Sequence, residues 1–221
     1  MNKKNIAVIA IIAVILIAGG LLINRYYFLD NNRVIDKLLT INGTVELTDA
    51  QLSVIEESRK ILNEDPNNYQ ALLDVAVLKQ AAGDIDGAIA MYENLMELRP
   101  KDIMIYNNLG TIYYNRGEYE KSEEMYLYIL DNITYKWINS YNELLNIYQY
   151  HLTDKKDKFE KYIIDGVEKY EEMKPVLASK AAVYFDDVMN DKVNAIKYYE
   201  LTVELNSNNI TAKNRLAELK K

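Results

Sequence analysis

The chain has 221 residues, 49% of them aliphatic or aromatic, with only 3 Pro and 8 Gly. It has room for one membrane segment and one domain of ordinary size, and this composition argues against disorder and against a turn-rich sandwich. A net charge of −7 disfavours nucleic acid and anionic head groups as partners, because both demand phosphate neutralisation. The absence of Cys excludes disulfides, thiol nucleophiles, Fe–S clusters and thiolate metal sites.

The first predicted element is Ile6 to Ile23, an 18-residue run without a charge. At a rise of roughly 1.5 Å per residue it extends about 27 Å, close to the hydrocarbon thickness of a bilayer. Backbone in lipid must satisfy its own hydrogen bonds, so residues 1–23 read as an N-terminal transmembrane helix and anchor. Tyr26, Tyr27 and Phe28 follow as an interfacial belt beside Arg25. The alternative is a cleaved signal peptide, since Lys3 and Lys4 supply a basic start, but no small-x-small site follows the run. The short basic leader favours an amino terminus in the cytoplasm. The expected localisation is therefore a single-pass protein of a bacterial inner membrane with its domain outside the cytoplasm.

Residues 24–46 read as a polar linker with an amphipathic stretch, Val34 to Ile41, and a turn at Asn42-Gly43. A capped helix comes next: Thr48 can accept from the first turn and Gln51 can return the bond. Leu52, Ile55, Ser58, Ile61 and Leu62 then share one face up to Asp65-Pro66.

From here the chain repeats itself at an offset of 34: Pro66 recurs as Pro100, Gly83 as Gly117, Met91 as Met125 and Tyr92 as Tyr126. Each clear unit, 67–100 and 101–134, predicts a helix, a turn at Gly83 or Gly117, and a second helix. Two degenerate units follow at 135–174 and 175–208. The first carries Tyr141-x-x-Leu144-Leu145-x-x-Tyr148 and an insertion around His151 to Asp157. The second carries Ala178, Ala181, Ala182 and Phe185, and its turn is one residue longer. Residues 210–220 read as a capping helix. A fixed period of this length marks a solenoid, whose units cannot bury their apolar faces alone.

Tyr106-x-x-Leu109-Gly110-x-x-Tyr113, then Gly117, then Ser122-x-x-x-Tyr126 resembles the tetratricopeptide repeat pattern. Leu72-x-x-Val75-Ala76, Gly83, Ala88-x-x-x-Tyr92 and Pro100 match it in the preceding unit, with Lys79 departing where an aromatic is usual. The resemblance, to membrane-anchored bacterial members of the family, implies an all-α chain. Its transmembrane helix would precede a right-handed α-solenoid of helix hairpins over 47–221.

Candidate chemistry is sparse. His151, the single His, falls in a polar loop and reads as a surface residue; no HExxH, GxxxxGK[ST], GxSxG or GxGxxG occurs. Asp84-Ile85-Asp86-Gly87 lacks the later ligands of a calcium loop. No catalytic, cofactor or metal site is expected. Most of the 19 Tyr residues, among them Tyr92, Tyr106, Tyr113, Tyr126, Tyr148 and Tyr199, fall on packing positions.

What the resemblance implies about binding is a groove lined by the first helix of each unit. It would run through Gln70, Leu73, Val77 and Gln80; then Met104, Asn107, Thr111 and Tyr114; then Asn139, Asn142, Asn146 and Gln149. Its apolar start gives way to amides and hydroxyls, which donate and accept and so suit a peptide backbone or a polar helix. No Lys or Arg lies among these residues, which disfavours a clamp for a C-terminal carboxylate. The expected function is a membrane-anchored adaptor or scaffold that binds a protein or peptide partner, without catalysis and without nucleic acid. Alternatives are a structural subunit of an envelope complex (secretion, pilus or outer-membrane assembly) held by its convex face or its transmembrane helix, and a self-associating oligomer.

Overall fold

The computed structural model describes residues 33–221, so the anchor expected over 1–23 lies outside the described residues. No helix among the described residues is long and apolar enough to cross a membrane. The described residues are helices and connections, and they form two compact units that divide at Pro100.

The first unit holds a short helix over 33–39 (α1), then α2 (Asp49–Glu64), α3 (Tyr69–Ala81) and α4 (Ile85–Leu98). The capping box forms: the Thr48 side chain accepts from the Gln51 N–H, and Gln51 Oε1 accepts from the Thr48 N–H at 2.9 Å. Helices α3 and α4 pack as a hairpin whose buried residues include Leu72, Val75 and Ala76 on one side and Ala88, Tyr92 and Leu95 on the other. Between them Gly83 takes φ +82°, a conformation that costs residues with a Cβ. Asp84 then caps α4 by accepting from the Gly87 N–H.

Helix α1 buries Ile35 and Leu39, and Arg59 of α2 pairs with its Asp36. Val34, Ile35 and Leu38 line an open cavity of about 200 Å³ together with Pro66, Asn67, Leu72 and Asn94. The segment after α1 is tied to the α3/α4 turn. Val45 N–H donates to the Ala82 carbonyl at 3.0 Å, and Asn42 N–H donates to Asp84 Oδ2 at 3.1 Å. Lys79 explains its own departure from the repeat pattern here. It is 4% exposed, and its ammonium donates to the Thr40 carbonyl and to Asp84 Oδ2, the latter at 3.0 Å. A Cβ at Gly43 would collide with the Ala82 carbonyl, so only glycine permits this close approach.

The second unit comprises α5 (Ile103–Asn115), α6 (Tyr119–Tyr128), α7 (Ile138–Tyr150), α8 (Asp157–Lys169), α9 (Lys174–Val183), α10 (Lys192–Leu205) and α11 (Ile210–Leu219). Helix α5 packs on α6, α8 on α9, α9 on α10, and α11 closes against α10. The expected packing tyrosines Tyr106, Tyr113, Tyr126, Tyr148 and Tyr199 are all buried here, as Tyr92 is in the first unit. Ser122 Oγ donates to the Gly110 carbonyl at 2.8 Å, and a Cβ on Gly110 would sit 2.8 Å from the Tyr126 ring; small residues are what let α5 and α6 approach.

Two helix ends widen into π-turns, Ile129–Ile133 after α6 and Tyr184–Val188 after α9. The second accounts for the longer turn of the last degenerate unit. A π-turn inserts a residue, so the left-handed position falls on Asn190 (φ +55°), one place later than the glycines at φ +82° and +75° in the clear units. Asp191 then caps α10, as Asp84 caps α4. Helix α11 is held by a two-pronged bond from Arg215 to the buried Asp186, at 2.6 and 2.9 Å.

Candidate protein-binding face

The face implied for the first unit is largely committed to its own structure. Gln70 Nε2 donates to Asp74 at 2.8 Å, and Gln80 Oε1 accepts from the Tyr92 hydroxyl at 3.0 Å. Leu73 is half-buried, which leaves Val77, 46% exposed, as the open apolar residue of the four.

In the second unit α5 contributes mainly side chains that hold the scaffold. Asn107 Oδ1 accepts from the Trp137 indole N–H at 3.1 Å, and Thr111 Oγ1 donates to the Asn107 carbonyl at 2.9 Å and lies 3.1 Å from the Tyr126 hydroxyl. The Tyr114 hydroxyl lies 3.1 Å from His151 Nε2, and the His151 ring stacks on Tyr119 with centroids 3.7 Å apart. His151 is therefore no loose surface residue: it seats the loop after α7 against the first hairpin of the unit. Of the four α5 residues expected on this face Met104 alone stands open, 47% exposed.

Helix α7 differs. Asn139 and Asn146 are exposed, Asn142 and Gln149 half-buried, and none of the four side chains is used in a hydrogen bond among the described residues. Asn142 Oδ1 is buried with no donor. Glu143 completes this stripe: residues 139, 142, 143 and 146 follow the i, i+3, i+4, i+7 spacing of one helix face. Burial pushes its carboxyl above the usual range. The run of amides marks Asn139, Asn142 and Asn146 in the sequence; the helical period adds Glu143.

Behind this face the unit is tied by buried polar groups of another kind. Glu123 of α6 accepts from the Tyr148 hydroxyl and from Lys158 at 3.4 Å, joining α6, α7 and α8. Burial and the Glu123 carboxylate raise the Tyr148 hydroxyl far above its ordinary value, so it stays a donor. No cluster of three metal-ligating side chains forms among the described residues.

Paired helices, a glycine or asparagine at the turn, and small residues where α5 crosses α6 define a helical-hairpin repeat architecture among the described residues. The TPR repeat family profile matches residues 80–117, from the end of α3 through α5 and into the turn after it, so this stretch carries a tetratricopeptide-type repeat. It is similar to lipopolysaccharide assembly protein B of Escherichia coli (strain K12), at 27% identity over 107 residues. The proteins of that name from Escherichia coli O6:H1 and O157:H7 match to the same extent. The matched stretch is 47% of this chain, and the chain spans only 27% of the length of these relatives.

Proposed function

We propose that the protein is a non-catalytic adaptor that recruits a protein partner through the first-helix face of its repeats and is tethered to a bacterial cell membrane by residues 6–23. The observation that carries this reading is the stripe on α7, where amides that could hydrogen-bond each other or the scaffold do neither. An amide held on a rigid helix and left unmatched is a ready partner for a peptide backbone. Tethering would raise the local concentration of binding sites, so a modest groove affinity suffices.

The test is capture of partners from solubilised envelopes with the full chain and with Asn139→Ala/Asn142→Ala/Asn146→Ala. The expected outcome is loss of a partner with an unchanged melting temperature; full retention by the variant sinks the groove reading. The relatives named for lipopolysaccharide assembly favour a second reading, a fixed subunit of an envelope assembly held through residues 6–23. Deleting residues 1–23 separates the two, because co-purification survives the deletion only if the repeats carry the contact.

A further inference from the structure

Two charged side chains of the second unit stand without counter-ions at equivalent places. Tyr141, Leu144, Leu145 and Tyr148 are the buried residues of α7, and Ala178, Ala181, Ala182 and Phe185 are buried at the matching positions of α9 and the turn after it. Glu143 lies two residues after the first member of one set and Lys180 two after the first of the other, so they hold the same helical position in consecutive repeats. Both are half-buried, and neither has a hydrogen bond or ion pair among the described residues.

The contrast within the same unit is sharp. Its buried acids Glu123 and Asp186 are each met by a cation, Lys158 and Arg215. Burial alone raises the Glu143 carboxyl and lowers the Lys180 ammonium, and no neighbouring charge contributes to either, so they do not satisfy one another. A partly desolvated charge without a partner opposes folding. The same desolvation strengthens its attraction to an incoming counter-charge.

We propose that this face of the second unit binds a protein segment that presents a basic side chain to Glu143 and an acidic side chain to Lys180, with Asn142 beside Glu143 meeting the segment's backbone. The inference rests on the groove reading above and deepens it by naming the chemistry of the partner.

The probe is a set of short Gly/Ser/Asn peptide pools carrying one Arg and one Glu at varied separation, with matched pools in which Arg, Glu or both become Gln. They are titrated against the full chain in detergent micelles. Trp137, the single Trp, bonds Asn107 on this face and reports binding by its fluorescence. The mixed-charge pools are expected to bind, and Glu143→Gln and Lys180→Met each to weaken them roughly tenfold. Without peptide, each substitution is expected to raise the melting temperature by roughly 2 °C, since each removes an unpaired, partly buried charge.

A fall in melting temperature for either variant overturns the inference, because it means that the two charges serve each other. So does equal binding of the uncharged pools, which leaves the groove itself standing, and so does mixed-pool binding that survives both substitutions. Silence of every pool at about 1 mM also overturns it; the capture assay with the asparagine variant then judges the groove on its own.

Discussion

Lys79 shows how one residue can be conspicuous in a sequence and still conceal its role. Its place in the repeat calls for an aromatic, as Tyr113 supplies one repeat later, so it reads as a defect. Its partners are Thr40, from the segment after α1, and Asp84, from the far side of the α3/α4 turn, and the link to Thr40 spans 39 residues. No local spacing announces that. Lys79→Met is expected to cost about 3–5 kcal/mol in urea unfolding, because it strands the buried Asp84 carboxylate. Burial would raise that carboxyl, but the Asn42 N–H, the Lys79 ammonium and the Gly87 N–H together hold it below the usual carboxylate range. Its contribution is therefore present above the pKa of an unfolded Asp, about 3.9, and is lost as the pH falls through the lower folded value. Hydrogen exchange over residues 40–46 followed through that window checks it: Lys79→Met is expected to move the acid-dependent step to higher pH.

At the scale of elements, the turns carry the clearest test. Gly83, Gly117 and Asn190 occupy one structural role, and of these only Asn190 bears a Cβ at positive φ. Asn190→Gly is expected to stabilise the second unit by up to about 1 kcal/mol and Asn190→Val to destabilise it by about 1–2 kcal/mol, both read from thermal unfolding. The longer turn is visible in the sequence as a slipped register between Phe185 and Ala195. That the extra residue is absorbed by a π-turn over Tyr184–Val188 is not visible, because π- and α-turns draw on the same residues and differ only in which carbonyl an N–H reaches. The stretch after residue 40 behaves likewise. Asn42-Gly43 reads as a turn in a linker, whereas the chain there is clasped against the α3/α4 turn through Val45 and Asn42. That clasp makes residues 33–46 a docked part of the first unit and no slack tether.

For the whole molecule the question is which compartment supplies the partner. The orientation expected from the basic leader, amino terminus inside, would put the repeats outside the cytoplasm. Proteinase K added to cells with a permeabilised outer layer but an intact inner membrane is expected to degrade the repeats; protection until detergent is added would reverse the orientation. The net charge of −7 and the absence of Cys fit either side, so composition is silent here.

The repeats are legible in the amino-acid order alone. A 34-residue period, small residues at the crossings and glycine at the turns follow from hydrophobic burial and backbone sterics, which act through neighbours in the chain. That order also marks the helix faces, including the amides Asn139, Asn142 and Asn146 on α7. Only tertiary structure decided which side chains on those faces are spent. Asn107, Thr111, Tyr114 and Gln80 are consumed by Trp137, Tyr126, His151 and Tyr92, while Asn142 Oδ1, Glu143 and Lys180 are left unmatched among the described residues. Hydrogen bonds and ion pairs are short-ranged and reach between helices, so their presence or absence is a property of packing that no one-dimensional pattern records.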